Sequence, residues 1–521
     1  MKLRYLSFKD LLFILPLSAV AGYALARFEF GSILKATLVF GSLIFLGMLG
    51  ALPAIRWSGG GRSLWWMVAL GFTLRLAAGV WAYHALPVDG YEDPDDRSGF
   101  IFTDAHNRDA QAWQLADIDN TIWEAFSRKY HSDQYGGLLA LSALAYRYLS
   151  LDIHRPLLLV LLSALVAALG IPFLWKAAHQ LWGESVARIS GWLFTLYPES
   201  VFLGGAVMRE PYLMTFSAIS LWGFVEWREN HSPRGWFWMG LALLGMLLVS
   251  PAIAVVTIVI FMGWMWFTRE HKRFSWRVLF GALGVLFIGL ILLALALNRT
   301  GSYGNSLFAV LVNWTRDVIF WENSQAEQVS GWLQKLFVGR PPWFRIGFMT
   351  IYGLLQPVLP AAFFEPTTWT WHIIGILRAL GWYALLPVLI LSFVAAAGQG
   401  STMKRRVWMW FSLLVWTWFL FASLRGGGDQ WDNPRYRAIL FLWQAVLAAY
   451  TLVWQRETRS PWLWRILAME AIFLLFFGQW YANRYFQFGG QLPFGLMVGL
   501  ILIGWLIVFV GGLWRDRTRR A

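Results

Sequence analysis

The 521 residues include no cysteine, which excludes disulfides, thiolate metal ligands and a cysteine nucleophile. Charge is scarce: Asp, Glu, Lys and Arg make up 14% of the chain, against about 25% in average soluble domains. No Gly-rich phosphate loop follows a strand pattern, so cytosolic nucleotide binding has no support. Internal repeats, low-complexity tracts and a soluble domain are also missing. What remains is apolar and aromatic, with 58% hydrophobic residues and 35 Trp. Many of those Trp, such as Trp57, Trp182, Trp236 and Trp266, fall near the ends of apolar runs, as in an interfacial aromatic belt.

Apolar runs long enough to cross a hydrocarbon core of about 30 Å recur from end to end. The sequence therefore predicts an all-α polytopic membrane protein with about 14 spans: 11–27, 33–54, 64–86, 157–180, 187–204, 211–228, 236–250, 251–267, 277–298, 372–397, 407–424, 436–454, 462–480 and 493–514. The pair meeting at Ser250-Pro251 is short on both sides, and Pro251 marks a tight turn between them. Lys2, Arg4 and Lys9 ahead of Leu11–Ala26 resemble a signal peptide, but a second apolar run starts at Ile33, so the first span is expected to stay uncleaved.

The net charge of +14 sits mostly in short loops and sets orientation rather than binding nucleic acid. With the N-terminus inside, Arg56/Arg62, Arg228/Arg234, Arg269/Lys272/Arg273, Lys404/Arg405/Arg406, Arg456/Arg459 and Arg515/Arg517/Arg519/Arg520 are cytoplasmic. The expected location is the cytoplasmic (inner) membrane, with both termini inside. Three segments then lie outside: Pro87–Gln134, Asn298 to about Arg345, and Arg425–Arg437. Two flanking pieces, Leu138–Leu149 and Ile346–Phe363, read as helices lying in the headgroup plane.

The first outer segment is the richest in chemistry. It holds Asp89, Glu92, Asp93, Asp95, Asp96, Asp104, Asp109, Asp117, Asp119, Glu124 and Asp133, out of 29 Asp and Glu in the whole chain. Gathered carboxylates supply a general base or a divalent-cation site. Asp104, in Phe102-Thr103-Asp104-Ala105-His106, is the sharpest candidate, although it could also cap the helix that follows. Asp89–Asp96, with Gly90 and Pro94, reads as a solvated turn. His106 and His131 flank acids, but no metal-ligand spacing accompanies them. Arg209-Glu210-Pro211 places a charge pair on the same outer side, where a structural reading (a mutual pair or a helix start) and a functional one stand about even. Arg435 and Arg437 run against the positive-inside bias; guanidinium capture of a phosphate explains them, and anionic headgroup binding is the plainer alternative. Arg75, mid-span, calls for a carboxylate partner or a cavity, and Glu470 lies within a span as well.

At these residues the chain resembles the GT-C superfamily of integral-membrane glycosyltransferases. It is most similar to bacterial relatives of the protein O-mannosyltransferases and lipid A aminoarabinose transferases. The resemblance rests on Asp104 with Asp109-Ala110, the interfacial helix Gly136–Leu149, the stretch Leu193-Phe194-Thr195-Leu196-Tyr197-Pro198-Glu199, Arg209-Glu210-Pro211, and Asn433-Pro434-Arg435-Tyr436-Arg437. It covers residues 64–298, a catalytic module with its outer loop 87–135. Residues 1–63 form a two-helix addition, and 299–521 an outer loop with a C-terminal helical module. The resemblance implies transfer of a sugar from a polyprenyl-phosphate donor to a lipid, glycan or protein hydroxyl on the outer face. Asp104 would act as base with Asp109 and Glu210 in support, and Arg209, Arg435, Tyr436 and Arg437 would hold the donor phosphate. The resemblance fixes no cofactor, and a divalent metal cation is the one candidate; relatives with paired acids at the base differ from Asp104-Ala105, which leaves metal dependence open. A polymerase or ligase of lipid-linked glycans is the runner-up, and a lipid or solute transporter a third, less supported by the missing repeats.

Overall fold

A computed structural model describes residues 7–268, except 118, 128, 131–134 and 151, and residues 342–518, except 427, 428 and 491, with a few isolated positions between 284 and 316. The expected span 277–298, the outer loop from Asn298 to about Arg345, His131 and Asp133 lie outside the described residues. Every regular element among those described is helical, as the apolar runs predict. The chain divides into two compact units, one of residues 1–324 with 438–446, the other of residues 325–437 with 447–521.

The first unit opens with an α-hairpin, α1 (Phe8–Ala26) and α2 (Ile33–Ser58). Ser7 and Asp10 start α1 as a reciprocal capping box, satisfying two amides that the helix itself leaves without partners. Gly22 lets the pair close: a Cβ there would stand 2.5 Å from the Gly41 nitrogen. α3 (Gly61–Asp89) follows, then the outer segment with α4 (Pro94–Arg97), α5 (Thr103–Leu115), a 3-10 turn at Ile122–Phe126 and α6 (Gly137–Leu149). The expected spans 157–180 and 187–204 share one long element, α7 (Pro156–Leu196). It is no single crossing, since 41 residues at about 1.5 Å each would be twice a hydrocarbon core. Gly183, at φ 83°, breaks it into two helices. α8 (Pro198–Gly204), α9 (Glu210–Asn230), α10 (Pro233–Val249) and α11 (Pro251–Phe267) complete the described part, with Ser250 extended between the last two, as Pro251 leads one to expect.

The second unit holds α12 (Pro342–Leu355), α13 (Leu359–Phe364), α14 (Trp369–Ala397), α15 (Thr402–Gly426), most of α16 (Asp432–Ala438) and of α17 (Phe441–Thr458), α18 (Trp462–Phe486) and α19 (Phe494–Thr518). The apolar stretch 346–363 is two short helices broken at Pro357, and 436–454 becomes a pair bent by 74°. Among the described residues eight helices are long and apolar enough to cross a membrane, nine if that bent pair is one span. The expected 14 exceed this because α7 merges two, α10 and α11 have 17 residues each, α9 is too polar along its length, and 277–298 falls outside.

Arg75 corrects an expectation. Fully buried in α3, it meets no carboxylate among the described residues. Its guanidinium donates to the carbonyls of Gly71 (2.8 Å), Phe194 (2.8 Å) and Thr195 (3.4 Å) and to Ser200 Oγ (2.8 Å). Two of these carbonyls end α7 just before Tyr197-Pro198, where no helical amide can reach them. The crossing around Arg75 is tight, because a Cβ on Gly205 would lie 2.5 Å from the Arg75 carbonyl oxygen, and Gly79 faces the Gly205 carbonyl. Gly79→Ala is therefore expected to destabilise the protein by about 1–3 kcal/mol, whereas Gly240→Ala, with nothing within 4 Å of the added carbon, should be neutral. Thermal unfolding of both variants in one detergent checks this, and equal melting temperatures would contradict the tight crossing.

Candidate active site

Asp104 is the second residue of α5. The helix starts after Phe102, whose backbone is extended and which makes no side-chain cap bond. Capping, the plainer reading of Asp104, therefore does not hold; its carboxylate instead sits in the first turn, half-buried, where the helix dipole favours negative charge. Arg108, one turn on and on the same face, is buried and donates to the Val207 carbonyl at 2.6 Å. That face of α5 thus lies against the segment leading into Arg209-Glu210. Glu210 is the fully buried first residue of α9; its Oε1 lies 3.8 Å from Arg209 Nε, and the Arg209 guanidinium lies 5.5 Å from the Tyr135 ring centre.

Asp109 turns to another face of α5 and into the protein. Its Oδ1 accepts a short hydrogen bond from the Tyr146 hydroxyl on α6, and its Oδ2 is 2.9 Å from His154 Nε2. His154 stacks on Trp113, ring centres 5.1 Å apart. Burial first, then the Asp109 charge, pushes the Tyr146 phenol well above its ordinary range. The Asp109 carboxylate thus ties α5 to α6 and to the start of α7. Tyr146, His154 and Glu29 were not singled out from the sequence, although a lone acid in the turn between two apolar runs was a signal for Glu29. Glu29 accepts from the Leu157 amide at the start of α7 at 3.0 Å.

The Asp89–Asp96 stretch is folded rather than a solvated turn. Asp93 caps α4, and the buried Asp96 carboxylate accepts a short bond from the Tyr91 amide. Asp95 accepts from the Thr103 hydroxyl and lies 2.8 Å from His106 Nδ1, while His106 Nε2 is 3.1 Å from Ser98 Oγ. Both His106 nitrogens are engaged, which does not suit a metal ligand. Among the described residues no three His, Asp or Glu side chains gather as cation ligands, so the described acids do not fit a resident metal.

In the second unit, Arg435, Tyr436 and Arg437 lie on α16, with Asp429 turning the chain into it by accepting from the Trp431 and Asp432 amides. Burial pushes the Asp429 carboxyl up. Arg435 Nη1 is 3.5 Å from Asp432 Oδ1, and its Nη2 donates to the Tyr436 hydroxyl at 3.2 Å. Arg437 is used differently. It donates to the carbonyls of Gly353 (3.3 Å), Leu354 (2.9 Å) and Gln356, closing the end of α12, and lies 3.8 Å above the Trp382 ring.

Glu29 gives this region a pH dependence. Burial raises its carboxyl to about 7 against the opposing bond from Leu157. A raised acid favours the protonated form in the folded protein, so its stabilising contribution is full below the unfolded value near 4.5 and is lost as pH rises through about 7. Glu29→Gln should flatten the fall in melting temperature between pH 5 and pH 8, in a window of about two to three units. An unchanged pH profile in the variant would contradict the assignment.

Residues 149–297 match the family model of dolichyl-phosphate-mannose-protein mannosyltransferases. None of the curated proteins compared matches the chain. Among solved structures, the chain is similar to the archaeal oligosaccharyltransferase AglB from Archaeoglobus fulgidus in complex with an inhibitory peptide and a dolichol-phosphate. That likeness has 12% identity and a TM-score of 0.40 over 85% of this chain and 55% of that one. The Archaeoglobus fulgidus oligosaccharyltransferase in complex with Zn and sulfate gives 15% identity and a TM-score of 0.41, over 81% and 54%. The chain thus spans about half the length of these relatives. The matched stretch runs over α7 to α11 and includes Arg209-Glu210, so this part of the chain is similar to a family of GT-C membrane glycosyltransferases.

Proposed function

We propose that the protein transfers a sugar from a polyprenyl-phosphate donor to an acceptor hydroxyl on the outer face of the cytoplasmic membrane, with inversion at the anomeric carbon. The observation that carries this reading is the match of residues 149–297 to a family described by its dolichyl-phosphate-mannose donor. The half-buried Asp104 supports it, since its place in the first turn of α5 is not explained by capping.

In this mechanism the acceptor oxygen attacks the anomeric carbon as its proton passes to the Asp104 carboxylate. The bond from that carbon to the phosphate oxygen breaks, and its electron pair leaves with the lipid phosphate. Arg209, in the unit that carries Asp104, would meet the growing charge, and Arg435 in the second unit is a further candidate for holding the lipid phosphate. Tyr436 would orient Arg435, and Arg437 would fix α16 by closing α12. Asp109 would hold α5 through Tyr146 and His154, and Glu210 would orient Arg209. The module 64–298 would carry the base and the acceptor side. No step is assigned to a metal, because the described acids make their own contacts. The activated lipid carries the energy, so no nucleotide is needed outside the cell.

Purified protein in nanodiscs, incubated with a panel of radiolabelled polyprenyl-phosphate sugars and cell-envelope acceptors, tests the reading. Asp104→Asn is expected to lower kcat by about 10² to 10⁴, the range of a lost general base, with KM for donor little changed. Transfer that survives this substitution at wild-type rate removes Asp104 from the mechanism and favours the glycan polymerase or ligase reading.

A further inference from the structure

The first turn of α5, which carries Asp104, starts without a side-chain cap. Phe102 stands at the cap position, and its ring has no oxygen to offer the first amides. One carboxylate from outside the helix holds the turn instead. Asp95 Oδ2 accepts a short bond from the Thr103 hydroxyl, and Asp95 Oδ1 lies 2.8 Å from His106 Nδ1. Thr103 and His106 are the first and fourth residues of α5, so they share a face and Asp95 spans the turn between them. An ionised carboxylate only accepts, so Nδ1 is the donor. The rest of the His106 ring is also engaged: Nε2 is 3.1 Å from Ser98 Oγ, and the ring stacks on Phe100 with 5.8 Å between centres.

Asp95 is itself firmly placed. It belongs to α4, which Asp93 caps by accepting from the Asp96 amide at 2.8 Å. The Asp95 carbonyl accepts from the Ser98 and Phe100 amides, both at 3.1 Å. The link from α4 to α5 is pressed against α3, because Gly99 has φ +78° and a Cβ there would stand 2.6 Å from the Tyr83 carbonyl oxygen. Contacts therefore run from α3 through α4 to Asp95, and on to the turn that presents Asp104. Asp104 is one residue past Thr103 and so points about 100° around the axis from it. Asp95 thus places Asp104 through the backbone of the turn.

We infer that Asp95 is a positioning residue for Asp104: by holding Thr103 and His106 it keeps the first turn of α5 in one place and aims the Asp104 carboxylate at the reacting hydroxyl. This rests on the proposed reading of Asp104 as the base. A base works only within hydrogen-bond reach of the proton it takes, so a turn that drifts by about an ångström costs rate rather than binding. Asp95 takes no part in the chemistry, and its loss appears in kcat and not in KM for donor.

The test uses the full chain in nanodiscs. Asp95→Asn turns one acceptor oxygen into an N–H group facing a donor, Thr103→Val removes a hydroxyl at nearly constant shape, and Thr103→Ser keeps it. Amide hydrogen exchange over residues 103–107 reads the clamp without turnover. It should rise about tenfold in Asp95→Asn and Thr103→Val, the scale of one hydrogen bond to a charged group, and stay near wild type in Thr103→Ser. Unchanged exchange in the first two overturns the clamp; if the asparagine variant fails to fold, the Thr103 pair carries the test. With the radiolabelled polyprenyl-phosphate sugar that the wild-type protein turns over, kcat should fall about ten- to hundredfold in the same two variants at unchanged KM. Faster exchange with kcat intact overturns the positioning role, as does an equal loss of kcat in Thr103→Ser and Thr103→Val. A double-mutant cycle separates the two readings. Asp95→Asn should add little in an Asp104→Asn background, whereas the same factor in both backgrounds overturns the inference and leaves the base standing. Wild-type transfer in Asp104→Asn removes the base and with it the positioning role, while the exchange result still decides the clamp.

Discussion

Hydrocarbon offers no water to a broken helix, and the buried arginines of this protein answer that constraint. Wherever a helix stops inside, its last carbonyls lack partners, and each costs free energy unless a donor reaches it. Arg75 reaches the end of α7 and Arg437 the end of α12, while in the outer segment, away from hydrocarbon, the half-buried Arg147 takes the carbonyls of Leu115, Ala116, Asp117 and Asn120 after α5. Arg108 takes the Val207 carbonyl between α8 and α9. A guanidinium suits this use because it carries five donors in a rigid plane and keeps its charge.

The same constraint separates arginines that brace backbone carbonyls from those that meet side chains. Arg437 is braced by three carbonyls and a Trp face, although its position in the sequence resembles that of Arg435. Arg435 makes its contacts to side chains, Asp432 and Tyr436, which rearrange more readily than backbone. A similar division runs through the acids. Asp109 fastens three helices together, whereas Asp104, five residues earlier and therefore on another face, stays half-buried at the start of α5.

The acidic outer segment shows how charge patterning and folding differ. Its acids are close in sequence, yet they take separate tasks: Asp93 caps α4, Asp96 accepts a backbone amide, Asp95 holds Thr103 and His106, and Asp109 holds Tyr146 and His154. Density of carboxylates therefore did not show which partner each acid takes. Glu29, far off in the α1–α2 turn, reaches the start of α7 beside these groups, and nothing local in its surroundings announces that contact.

The sequence by itself determined the class of the protein. Long apolar runs, sparse charge and loop-borne Lys and Arg are local quantities, and they point to a helical membrane protein and to many helix boundaries, down to the break at Ser250-Pro251, although the number of spans did not follow from them. Short motifs in a fixed order also carried the GT-C resemblance, which the match over residues 149–297 supports. Tertiary structure decided which charges are engaged. Partners such as Phe194 for Arg75 or His154 for Asp109 lie tens of residues away, and a guanidinium satisfied by carbonyls leaves no trace in the sequence, because every residue carries a carbonyl.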